Sequence, residues 1–178
     1  MFLKSKKGQG SFYHWTDIIL IPIFLFLIAI VMLFAAKIWN TVQDETVLFD
    51  VNEYDDNISK EAIATISVSV NTVINMYSYI FIMLVAAMLV SMVLTGYYVE
   101  SSLVFLVPGS IILMIAIILA VPLENAYEEV VGMTEFAVES AGQTIILQIM
   151  QNMAIVVLII GLAFMLVMYG KKTVGRAY

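Results

Sequence analysis

Fourteen carboxylates and a single imidazole, with no thiol, make up the reactive inventory of this chain. Seven of the acids fall in one stretch: Asp44, Glu45, Asp50, Glu53, Asp55, Asp56 and Glu61. Clustered carboxylate and carbonyl oxygens are the donors that hard cations such as calcium take. Asp50, Asn52 and Glu61 stand at EF-hand spacing, but Tyr54 occupies a ligand position and Asp55 the place where the sharp turn needs glycine. The EF-hand reading therefore fails, and no metal is expected. A second group, Glu124, Glu128, Glu135 and Glu139, recurs at helical spacing. It reads as a solvated acidic face, or as a patch that meets a basic partner.

Catalysis asks for more than this. His14 has no nucleophile placed beside it by a motif, and the sequence holds neither paired intramembrane aspartates nor an HExxH pair. One imidazole is too few for a metal-dependent oxidase. Without cysteine there is no thiolate nucleophile or thiolate metal site. Gly8-Gln9-Gly10 is no phosphate loop, because no strand precedes it. The chain is not expected to be an enzyme or to need a cofactor.

What remains is a set of amides and hydroxyls. Ser67, Asn71, Asn75 and Ser78 form one stripe, and Thr144, Gln148, Gln151 and Asn152 another. Amides at membrane depth are costly when they face lipid, so both stripes should face protein or water. Interhelical hydrogen bonding is the expected role, with a polar vestibule as the alternative.

Four blocks free of charge, residues 18–36, 76–94, 103–123 and 153–169, are the elements that must position these groups. A hydrocarbon core about 30 Å thick takes about 20 apolar residues of helix to cross. The chain is 62% hydrophobic and only 12% charged, with a mean hydropathy of +1.01, outside the range of soluble domains. The fold class is therefore an all-α integral membrane protein of four transmembrane helices in a bundle. The first block is too long for a signal peptide and lacks a small-x-small cleavage site, so it reads as a retained span.

The expected order is a single four-pass domain. It runs as a basic tail (1–16), a first span (17–39), an acidic outer loop (40–58), a long helix holding the second span (59–98) and a third span (99–123). An outer amphipathic acidic helix (124–144), a fourth span (145–169) and a second basic tail (170–178) complete it. Ile63, Ile66, Val70, Val73 and Tyr77 recur at heptad-like spacing, so the long helix should project past the bilayer. Helices carrying spans two and four would together build a small outer helical cap. The acidic helix should weaken at Gly132 and Gly142. Pro108-Gly109-Ser110 reads as a kink in span three, and Pro22 as a residue near its helix start.

Lys4, Lys6, Lys7, Lys171, Lys172 and Arg176 gather at the two ends, which the positive-inside rule places in the cytoplasm, leaving the acidic loops outside. Asn57-Ile58-Ser59 is a glycosylation sequon on that outer side. The basic residues set topology, and no nucleic-acid partner is expected. Small residues at Ala87, Ser91 and Thr95, and at Ala116 and Ala120, form ridges that let helices approach closely. None of the four blocks contains Asp, Glu, Lys, Arg or His, so a single-chain transporter is not expected. These features point to a structural or accessory protein of the lipid bilayer that assembles with copies of itself or with other membrane subunits, as a membrane complex subunit or as a membrane component of an enveloped particle. The alternative is an oligomeric channel with an acidic, cation-favouring mouth.

Overall fold

The computed structural model describes residues 9–48, 57–98 and 106–174, with side chains over 17–44, 64–98 and 106–170. Among these residues every regular element is a helix. The order is α1 (Gln9–Leu48), α2 (Asn57–Tyr98), α3 (Leu106–Val131), a 3-10 turn (Thr134–Phe136), α4 (Ala137–Gly142), α5 (Thr144–Met150) and α6 (Met153–Val174). Four of them, α1, α2, α3 and α6, are long and apolar enough to cross a membrane. The protein is thus an all-helical chain with four candidate membrane spans.

Packing follows from where the small and the branched side chains fall. α1 packs most extensively against α3, α2 against α6, and α3 against α6, while α1 and α2 meet less closely. The shared core takes Leu25 and Ala29 from α1, Phe81 from α2, Ala116 and Ala120 from α3, and Val157 and Phe164 from α6. Large apolar side chains cover the outside as well, including Phe24, Met83, Ile118 and Leu166. Lipid solvates such a surface as readily as a core does, so the hydrophobic effect alone does not drive these helices together and close packing must.

Small residues provide that closeness, though not all of those expected. Ala116 and Ala120 are fully buried. Ala87 and Ser91 are exposed, Thr95 is half-buried, and their neighbour Gly96 is buried against α6. A β-carbon on Gly96 would sit 2.9 Å from the backbone oxygen of Phe164. One on Gly161 would overlap the Leu113 side chain of α3. The tight contacts of α6 with α2 and α3 thus fall on glycines, because only a missing β-carbon admits a neighbouring backbone that near.

Three boundaries differ from the sequence reading. The outer loop expected from residue 40 begins no earlier than residue 49, since α1 is helical to Leu48. Trp39 and Gln43 hydrogen-bond to α2 and hold those last turns in place. The acid cluster at Asp50, Glu53, Asp55 and Asp56 lies outside the described residues. Pro22 stands well inside α1, not near its start. Pro108, by contrast, falls in the first turn of α3, where its missing N–H would have no helical partner anyway. The interior proline of α3 is Pro122.

The third difference concerns residues 124–144, which form no single helix. α3 absorbs them as far as Val131, and then the chain turns at Gly132 and tightens through Thr134–Phe136. Gln143 N donates to Ser140 O at 3.0 Å, a second tightening at Gly142–Gln143. A third separates α5 from α6, where Asn152 N reaches Ile149 O at 3.2 Å. Around the later two breaks, side chains donate to backbone carbonyls. Ser140 Oγ donates to Ala137 O, Thr144 Oγ1 to Ala141 O, and Asn152 Nδ2 to Gln148 O. A segment of broken helix close to apolar surroundings needs such partners for its backbone.

Candidate functional site

The polar side chains collect where the second half of α1 meets α2 and the broken segment. On the α2 side, Trp39 Nε1 donates to Asn71 Oδ1 at 2.9 Å, and Gln43 Nε2 to Ser67 Oγ at 2.6 Å. Positions 39 and 43 lie one turn apart on α1, as do 67 and 71 on α2, so two parallel bonds pin one face against the other. Asn71 therefore acts as an interhelical contact. Asn75 is exposed.

On the other side, α1 grips α4. Glu139 is only 5% exposed. Its Oε1 accepts from Asn40 Nδ2 at 2.9 Å and lies 3.9 Å from the Lys37 ammonium. Lys37 and Asn40 are three residues apart and so share a face. One turn beyond Glu139, Gln143 is also buried, and its Nε2 reaches back to the Met32 carbonyl at 3.4 Å. Phe34 and Phe136 meet edge to face at 5.2 Å alongside, placing aromatic carbon next to the polar groups. Glu139 Oε2 and Gln143 Oε1 accept no hydrogen bond although both are buried. Buried acceptors left this way weaken a fold.

The acidic face expected from sequence is divided by this arrangement. Glu128 and Glu135 are exposed and Glu124 is half-exposed, whereas Glu139 points inward at α1. A projection at 100° per residue assumes an unbroken helix. The turn at Gly132 and the 3-10 residues reset the phase, and Glu139 leaves the solvated face as a result. Gln148, Gln151 and Asn152 are exposed together at the break between α5 and α6. Ala87 and Ser91 line an open groove of about 450 Å³ between α1 and α2, with Asp17, Phe24 and Met88.

Sequence reasoning passed over Lys37, Asn40 and Gln143. One signal was available: Lys37 is the only lysine or arginine between Lys7 and Lys60, and it abuts an apolar block. An isolated charge in such a place calls for a partner. The junction as built can clamp helices and hold charge. It places no nucleophile beside a base, and among the described residues no three His, Cys, Asp or Glu side chains converge.

The Trp39–Asn71 bond gives a first test. Trp39→Phe keeps most of the packing and removes the donor, so it should lower stability in lipid nanodiscs by about 0.6 kcal/mol. Asn71→Leu in the same chain should add little further loss. Additive losses in thermal unfolding would mean that the two side chains act independently.

Compared with protein-family models, with curated proteins and with solved structures, the chain matches none of them.

Proposed function

We infer that this protein is a non-catalytic structural or accessory subunit of a membrane, assembling with copies of itself or with other membrane subunits. In this reading the four spans form a bundle with both ends of the chain in the cytoplasm. The far ends of the helices build a small outer cap that carries the partner surface.

The observation that carries the reading is the length of α1 and α2 set against what they expose. At about 1.5 Å per residue, α2 is roughly 63 Å long, twice the ~30 Å hydrocarbon core. With residues 76–94 in the membrane, Ile66, Val68 and Val73 lie outside it, and all three are at least half exposed. Ile38 and Val42 of α1 and Val138 of α4 are exposed as well. Apolar surface gathered beyond the reach of lipid marks a place where another protein sits. The exposed Glu128 and Glu135 give a basic partner a place at its edge.

The mass of the complex extracted in lipid nanodiscs, with its subunits identified, tests this directly. An assembly of fixed stoichiometry is expected, whereas a lone monomer at native expression would overturn the reading. The exposed amides Gln148, Gln151 and Asn152 favour a second reading, a cation-favouring channel lined where copies meet. Replacing all three with leucine should abolish conductance and leave assembly intact if that is right. An assembly that never conducts sinks the channel.

A further inference from the structure

α2 is the least covered of the four spans: 11% of its most apolar window is buried, against 28–33% in the other three. What it leaves uncovered has an order. Ile66, Val73, Ile80, Ala87 and Leu94 repeat every seven residues, and all five are exposed. Between them Ser69, Met76, Met83, Val90 and Tyr97 repeat in the same way, and these five are exposed too. The spacing therefore alternates three and four along the whole described length of the helix, which is the seam of a coiled coil. The heptad-like row read from sequence straddles this edge: its Ile66 and Val73 belong to the seam, whereas its Val70 and Tyr77 are half-buried.

We propose that this seam is the contact between two copies of the chain, laid parallel along α2. The inference rests on the assembly reading above and names its partner. Four observations favour a second copy. Chains inserted with one topology present α2 in the same direction, so each heptad position meets its own counterpart. The column at 66, 73 and 80 is β-branched, the choice that favours two parallel strands when it occupies the a positions. No charged residue occurs between Glu61 and Glu100, so identical faces meet without repulsion. The hydroxyls nearby are already occupied: Ser69 donates to Thr65 O and Thr72 to Val68 O, leaving no demand for a polar partner.

The size is also suitable. The eight large apolar side chains of the seam are each roughly half exposed and offer on the order of 800 Å², what one partner contributes to a standard interface. The seam runs into the groove at Ala87 and Ser91, where small side chains give the second helix room to approach.

The absence of cysteine makes the test clean. Single substitutions Ile66→Cys, Val73→Cys and Ile80→Cys, in the full chain in native membranes, should each give a disulfide-linked dimer under mild oxidation. Val68→Cys, Asn75→Cys and Ile82→Cys, exposed on the adjoining face, should give several-fold less. Equal cross-linking at all six sites would overturn the seam. An oligomer of fixed mass with no cross-link at 66, 73 and 80 would overturn the seam and leave assembly standing. A monomeric mass would end both. Expression and extraction of each variant at parental levels shows that a missing cross-link is not misfolding.

Discussion

Gly96→Val should detach α2 from α6 and lower stability by about 2 kcal/mol or more. The β-carbon of any replacement lands 2.9 Å from the Phe164 carbonyl oxygen and 3.2 Å from a ring carbon of the same residue. Backbone cannot rotate aside as a side chain can, so the helices must separate. α2 has little else to hold it, because its contact with α6 is its most extensive and its contact with α1 is sparse. Gly161→Ala should be milder, since only the Leu113 side chain stands in the way. Combining it with Leu113→Ala should relieve the overlap and leave only the loss of the leucine. The readout is the unfolding midpoint in nanodiscs. A Gly96→Val chain as stable as its parent would refute the close approach of α2 to α6.

Lys37→Met should be the most damaging single change at the polar junction. It leaves the buried Glu139 carboxylate with Asn40 as its remaining polar partner among the described residues. Removing one member of a buried ion pair costs about 3–5 kcal/mol. Here the Lys37 side chain is 38% exposed and its ammonium is 3.9 Å away, so solvent takes part of the effect and a loss of about 2–3 kcal/mol is expected. Adding Glu139→Gln to Lys37→Met should recover most of it, because a neutral amide still accepts from Asn40 and no longer needs a cation. A double variant no better than the single one would show that Lys37 acts through its aliphatic stem alone.

The four spans were legible because composition alone reports them: long apolar blocks have few other uses. The weak points at Gly132 and Gly142 were legible for a local reason, since glycine lowers helix stability wherever it stands. The junction was not legible. Asn40 and Glu139 are 99 residues apart, and no local pattern encodes that they meet. The inward turn of Glu139 depends on a phase change within the 3-10 residues, which a helical projection cannot contain. The end of α1 was missed because Trp39 and Gln43 draw their helical stability from α2, a tertiary effect that outweighs the acidic composition following them. Ala87 and Ser91 were recognised as small but assigned without knowing whether a neighbour would fill the space beside them.

The long charge-free run of α2 has one more consequence. Nothing along it fixes the depth at which the helix sits, because a Lys or Asp forced toward the bilayer centre is what normally stops a span from sliding. Its vertical position is set by its packing against α6 and by the two bonds to α1, at Asn71 and Ser67. Thickening the bilayer would draw more of its apolar length into lipid without burying a charge. Helices adapt to such mismatch for fractions of a kcal/mol per ångström. This span is thus suited in length and composition to bilayers of differing thickness.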